Sequence, residues 1–270
     1  MNILEKIVAQ KRVWVAEQQS KKSVEELKKS VYYKRPTISL VDKIRQGNET
    51  GIIAEFKRRS PSKGDIYANA DVVEAVSGYQ ASNASAISIL TDAEFFGGSD
   101  KDLLDARPHL SIPILRKDFI IDAYQIHEAK AIGADIILLI AACLSVQEVK
   151  ELSQLAKSLG LEVLLELHDE DELGHVSTHI DFVGINNRSL KTFEVNVERS
   201  LLMASSISNS YIKVAESGID DPALVRLFKE NGFGAFLIGE YFMKQPQPYL
   251  KCGELTEFIK QVLINNFIKQ

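Results

Sequence analysis

From residue 51 onward, apolar residues gather into short runs that begin near Ile52, Ala86, Ile112, Ala134, Glu162, Phe182, Lys213 and Ala235. Each run has the length of a buried strand, and between the runs apolar residues recur at helical spacing. The punctuation agrees with that alternation. Asp122 and Gln125 predict a capping box for a helix that Gly133 ends, and Ser145 and Glu148 predict another that Gly160 closes. Asp221-Pro222 predicts an N-cap with proline in the first turn, and Asn231-Gly232 the end of that helix. Strand and helix alternating every roughly 20–35 residues predict right-handed βαβ units on a parallel sheet. Eight such units predict a (β/α)8 barrel, a fold of about 250 residues, which 270 accommodate. A doubly wound open sheet is the alternative, but no Gly-rich dinucleotide fingerprint follows any run.

Residues 1–46 follow another rule. Ile3, Leu4, Ile7 and Val8 fall at helical spacing with Lys and Glu between them, and Trp14 continues the segment. Ser23-Val24-Glu25-Glu26 predicts a capped second helix, and Thr37 a third that Gly47 stops. The expected organisation is an N-terminal helical extension over 1–46 and a barrel over 47–270, forming one structural domain. The extension's basic residues Lys21, Lys22, Lys28, Lys29, Lys34 and Arg35 are read as a solvated face. A lid over the barrel mouth is the functional alternative.

In such a barrel the active site lies at the C-terminal ends of the strands, so the residues that end each run carry the chemistry. Residues two apart on a strand share a face, which puts Glu55 and Lys57 together and Phe56 opposite. The third run ends in Arg116-Lys117-Asp118-Phe119, and the fourth stays apolar. The fifth holds Glu166 among leucines, where a carboxylate standing alone could equally be a satisfied core residue. The sixth gives Asn186 and Arg188, and the seventh Glu216-Ser217-Gly218. The eighth ends in Gly239-Glu240. Glu55, Lys57, Lys117, Glu166, Asn186, Arg188 and Glu216 are therefore expected to meet at one mouth. An unpaired charge buried there costs several kcal/mol, so these groups must pair or meet a charged ligand. Ser217-Gly218 and Gly239-Glu240 end the seventh and eighth strands, the usual phosphate site of these barrels. Ser60 can add a hydroxyl.

Composition narrows the partners. A net charge of −5 argues against a general nucleic-acid binder. Cys143 and Cys252 lie outside any CxxC pattern, and the histidines lack metal-ligand spacing, so no metal is expected. The first residues lack a signal-peptide core and no stretch is long and apolar enough to span a membrane, so the expected place is the cytoplasm.

The motifs Ala54-Glu55-Phe56-Lys57-Arg58-Arg59-Ser60-Pro61-Ser62, Phe96-Gly97-Gly98-Ser99, Arg116-Lys117-Asp118-Phe119, Gly184-Ile185-Asn186-Asn187-Arg188, Ala215-Glu216-Ser217-Gly218 and Leu237-Ile238-Gly239-Glu240 resemble indole-3-glycerol-phosphate synthase, in order and through the whole chain. The resemblance implies ring closure, decarboxylation and dehydration of 1-(2-carboxyphenylamino)-1-deoxyribulose 5-phosphate, a cofactor-free step of tryptophan biosynthesis. It implies Lys117 as general acid, Glu166 as general base, and Lys57 near the substrate carboxylate and as an acid in the dehydration. Glu55 would orient the lysines, Asn186 and Arg188 hold the anthranilate part and hydroxyls, Glu216 add a polar group, and Phe96 form an aromatic wall. Ser60, Ser217, Gly218, Gly239 and Glu240 would hold the phosphate. Repulsion between the lysines is expected to lower the pKa of Lys117, and desolvation to raise that of Glu166. Gly97, where the family usually has a larger polar residue, is expected to loosen its loop, and Glu240 stands where some members have serine. The expected partner is the phosphorylated substrate alone, bound to a monomer without nucleic acid or membrane, and no second barrel is expected. Two rivals stay open. A phosphoribosyl-anthranilate isomerase type of enzyme would use an Asp/Cys pair, for which Cys143 is the candidate. A barrel that binds a metabolite without turnover is the other.

Overall fold

The computed structural model describes residues 3–47, 49–189 and 194–268, with side chains as far as Val262. Its centre is a closed parallel barrel of strands β1 (Ile52–Phe56), β2 (Ala86–Leu90), β3 (Ile114–Lys117), β4 (Ile136–Ile140), β5 (Glu162–Leu167), β6 (Phe182–Asn186), β7 (Ile212–Glu216) and β8 (Phe233–Ile238). Each strand pairs with the next, and β8 closes on β1 through Ile52 opposite Phe236. The open-sheet alternative is thereby excluded.

The strand starts differ from the apolar runs for local reasons. Pro113 has no N–H to give a ladder, so β3 begins at Ile114 rather than Ile112. Asp135, fully buried, takes Arg35 at 2.6 Å and Arg107 at 2.8 Å, and β4 begins after it. A register shift between Phe233 and Ala235 lets β8 begin two residues before the apolar run does. The boxes at Asp122 and Ser145 and the cap at Asp221 are all present. Between β5 and β6 the expected helix is only a 3-10 turn, Glu170–His175.

Alternation sorts the strand residues into two cores. Ile52, Ala54 and Phe56 face the surrounding helices, whereas Ile53 faces inward with Leu115, Leu138, Leu164, Val214 and Leu237. Both ends of that inner core are closed by helices that precede β1. Helix α1 (Ile3–Lys21) sends Ile3, Leu4 and Ile7 to the mouth, and α3 (Leu40–Arg45) sends Leu40 and Val41 to the floor. The short α2 (Val24–Leu27) lies between them, with the expected box at Ser23 and Glu26. The cap of α3 is Ser39 rather than Thr37, because Thr37 donates its hydroxyl to the Gly160 carbonyl at 2.5 Å. Glu162, at the start of β5, pins α3 by accepting from Leu40 N at 3.0 Å and Val41 N at 3.2 Å. At the mouth, buried Lys11 of α1 reaches Asp92 at 2.9 Å and Asp118 at 2.8 Å, at the ends of β2 and β3. Burial opposes its charge, but the two carboxylates overcome that and raise its pKa.

Candidate active site

The strand tips surround a cavity of about 600 Å³. Its lining contains Glu55, Lys57, Ser60, Phe96, Lys117, Glu166, Asn186, Arg188, Glu216, Ser217, Gly218, Gly239 and Glu240. The residues expected at the catalytic and phosphate-binding positions therefore line one mouth. The strand register explains why. Glu166 on β5 is two residues beyond inward Leu164, and Glu216 is two beyond inward Val214. Lys117 is likewise two beyond Leu115, so its neighbour Arg116 must face outward.

The charged groups form a chain of contacts rather than a loose ring. Lys57 pairs with Glu55 at 2.6 Å. Lys117 Nζ lies 2.9 Å from Glu166 Oε2 and 3.9 Å from Glu216 Oε2. The Asn186 amide donates to Glu166 Oε1 at 3.0 Å, and Asn186 Oδ1 accepts from Arg188 N at 3.0 Å. His168 Nε2 stands 3.0 Å from the same Oε1.

These partners reverse two expectations. Lys117 does not have a lowered pKa. Burial disfavours its charge, but Glu166, Glu216 and Glu55 around it raise the pKa well above the usual lysine value. Repulsion from Lys57 is answered locally by Glu55. Glu166 does not have a raised pKa either. Burial pushes it up, yet Lys117, His168 and Asn186 together hold it well below the usual carboxylate range. The raised carboxyl is Glu216, pushed up by burial and then by the charge of Glu166. Its Oε1 is buried without a hydrogen-bond partner. The two neighbouring carboxyls are thus pushed in opposite directions, Glu166 down by Lys117 and Glu216 up by burial and the Glu166 charge.

The other end of the cavity is built for an anion. Ser60 sits in a two-residue hairpin ladder with Arg59 opposite Gly64 and Asp65. Ser217 and Gly218 are both left-handed, at φ 65 and φ 67, and for serine that backbone costs about 1–3 kcal/mol. Glu240 follows Gly239, and its carboxylate lies 3.8 Å from Lys63 and 3.7 Å from Arg188. The glycines also serve their neighbours. A Cβ on Gly239 would stand 2.4 Å from Glu55 Oε1, and one on Gly218 would stand 2.5 Å from Val195. Gly97 closes the helical turn Ala93–Phe96 in the left-handed form at φ 63.

Several lining residues had a sequence signal that went unused. His168 follows Glu166 at the strand period, and Lys63 lies three residues beyond Ser60. Leu138 and Ile140 of the wholly apolar β4 supply a greasy wall. From the extension, Ile3, Leu4 and Ile7 line the cavity, and none of Lys21, Lys22, Lys28, Lys29, Lys34 or Arg35 does. Cys143 is absent from the lining, and burial pushes its thiol up to about 12, which removes the Asp/Cys reading. Among the described residues, no His, Cys, Asp and Glu come together in a group fit to hold a metal.

The model of the family described as indole-3-glycerol phosphate synthase matches residues 4–255. The chain belongs to the indole-3-glycerol phosphate synthase family. It is 48% identical to the indole-3-glycerol phosphate synthase of Bacteroides thetaiotaomicron over 97% of this chain and 99% of that protein. The protein of the same name from Acinetobacter baylyi is 42% identical over 94% of this chain and 95% of its own length. Among solved structures, the tryptophan synthase alpha subunit of Legionella pneumophila superposes with a TM-score of 0.60. That superposition covers 84% of this chain and 97% of that one at 14% identity, which speaks for the barrel alone. As an indole-3-glycerol phosphate synthase the chain is a carboxy-lyase of tryptophan biosynthesis. Among the described residues, no helix is long and apolar enough to cross a membrane.

Proposed function

We propose that the family's reaction, conversion of 1-(2-carboxyphenylamino)-1-deoxyribulose 5-phosphate to indole-3-glycerol phosphate, runs here through Lys117, Glu166, Lys57, Glu55 and Asn186. The observation that carries this reading is the Lys117–Glu166 pair, 2.9 Å apart at the wall of the cavity, with Glu166 buried and Lys117 half-buried. The ring carbon bearing the carboxylate attacks the ketone, and negative charge grows on the ketone oxygen. Lys117, kept protonated by its carboxylates, donates to that oxygen. Loss of carbon dioxide restores the aromatic ring. Lys57 then protonates the departing hydroxyl, and Glu166, kept ionised, takes the proton from the neighbouring carbon as the double bond forms. Asn186 holds Glu166 in place, and Glu55 holds Lys57.

In the same reading Arg188 meets the anthranilate part, and Phe96, tilted against Phe119 at 6.1 Å, walls the ring. Ser60, Ser217, Gly218, Gly239 and Glu240 bind the phosphate, the last two through backbone N–H groups. Phosphate entering there also meets Lys63, which stands 3.8 Å from the Glu240 carboxylate. Residues 1–46 act as part of one barrel domain, since Lys11 ties α1 to the mouth. The chain works as a monomer, since its exposed Val13, Val31, Leu202 and Leu250 sit on separate segments.

Mixing purified protein with the carboxyphenylamino-deoxyribulose phosphate and following indole fluorescence tests the reading. Turnover that survives Glu166→Gln at the parent rate overturns it.

A further inference from the structure

His168 is the polar residue of this mouth whose surroundings exceed any role given above. It follows β5 directly, two residues beyond Glu166, so its ring turns to the same inward face. Its side chain is only 5% exposed, and it lines the cavity. Nε2 stands 3.0 Å from Glu166 Oε1, while Nδ1 is 4.0 Å from Glu172 Oε2. Glu172 is itself anchored, accepting from His168 N at 2.6 Å, so the ring is held between two fixed carboxylates. Neither ring nitrogen makes a hydrogen bond of regular geometry to the protein. A buried imidazole with both nitrogens unsatisfied is costly, so a purely structural histidine is a poor account of it.

We propose that His168 is the positioning residue that keeps Glu166 oriented and ionised while Lys117 is engaged with the substrate. The proposal rests on the reading of Glu166 as general base. In the empty site Glu166 has two hydrogen-bond partners, Lys117 on Oε2 and Asn186 on Oε1, and His168 Nε2 stands 3.0 Å from Oε1 without bonding to it. Lys117 is the one that must leave, because its proton goes to the ketone oxygen. Once it turns to the substrate, Glu166 loses its charged partner beside Glu216, a carboxyl whose burial favours keeping a proton. A carboxylate left with Asn186 alone would draw the Glu216 proton toward itself and fail as a base. With Oε1 only 3.0 Å from Nε2, a small turn of the His168 ring would bring a hydrogen on Nε2 onto Oε1 and oppose that transfer. The remaining titratable groups around Glu166 are Lys117 on β3, Cys143 after β4, Glu172 after β5 and Glu55 with Lys57 on β1. None of these is placed to donate to Oε1.

The test uses three variants of the full chain. Glutamine places its amide nitrogen where Nε2 stands, asparagine reaches only as far as Nδ1, and leucine offers no donor. His168→Leu should lower kcat about 10- to 100-fold with KM within about twofold. The acidic limb of its kcat–pH profile should move to higher pH, because Glu166 is then protonated more easily. His168→Gln should recover most of kcat and the parent limb, and His168→Asn should not. If leucine prevents folding, the glutamine–asparagine pair decides the matter alone, since both are polar and similar in size. A His168→Leu or His168→Asn profile that superimposes on the parent's overturns the proposal, as does a loss confined to KM. Glu166→Gln is the control. If it stays active the reading of the base has failed, whereas an inactive Glu166→Gln beside an unaltered His168→Asn means that only this inference has failed.

Discussion

Arg116 and Lys117 are neighbours in sequence and stand on opposite sides of one strand, and each sits in a cluster of carboxylates. The Arg116 side is complete. Fully buried, the guanidinium meets Glu128 at 2.7 Å, Asp100 at 2.9 Å, Asp118 at 3.3 Å, Thr91 Oγ1 at 3.1 Å and the Gln125 carbonyl at 3.0 Å. Asp118 in turn takes Lys11, so the cluster ties β3 to its flanking helix and to α1. The Lys117 side is incomplete. It opens on a cavity and contains an orphaned Glu216 oxygen and two orphaned imidazole nitrogens. A satisfied network of charges holds a fold together, and an unsatisfied one of equal density waits for a ligand.

Substituting each cluster should therefore produce opposite losses. The largest effect expected is on turnover. Lys117→Ala should cut kcat by about 10²–10⁴-fold while the unfolding midpoint falls less than in Arg116→Met, since Lys117 opens on the cavity and holds fewer carboxylates, read by steady-state kinetics and thermal melts. An unchanged kcat would reject Lys117 as the acid. Next comes Arg116→Met, which leaves Asp100, Asp118 and Glu128 without their shared cation. It should cost about 3–5 kcal/mol in urea unfolding, with kcat per folded molecule altered far less than by Lys117→Ala. If Arg116→Met instead removed kcat and left stability alone, the division between the two clusters would collapse.

Smaller effects sharpen the contrast. Gly218→Val should raise KM about tenfold or more by crowding the phosphate end, where φ is already 67 and Val195 is near. A constant KM would place the phosphate elsewhere. Glu216→Gln should be the reverse of Arg116→Met, with stability gained and activity lost. An acid whose folded pKa lies above its ordinary value of 4.5 adds stability in full below that value and loses it as pH rises through the folded pKa. Glutamine keeps the neutral form at every pH. The variant should therefore melt higher than the parent at pH 8, by about 2–4 °C for each kcal/mol, and match it near pH 4. Equal melting at pH 8 would mean that Glu216 does not hold the proton.

Much of this molecule was legible before it was folded. Alternating runs and helix caps announced the barrel, and the inward set Glu55, Lys57, Lys117, Glu166, Asn186 and Glu216 follows from a side-chain period of two. The cap at Ser39 was misread as Thr37 because only the folded chain brings Gly160 within reach of the Thr37 hydroxyl. Lys11 carried no signal in the sequence, since nothing local says that Asp92 and Asp118 will close around it.

The linear order of residues determined which side chains face the cavity, because facing is a local property of backbone geometry. Only the tertiary structure decided who pairs with whom, and hence that the pKa of Glu166 is pulled down while those of Glu216 and Lys117 are pushed up. Protonation depends on separations of a few ångströms between groups on different strands. Those separations are set by barrel closure and by two helices from the N-terminal segment, which no single stretch of sequence contains.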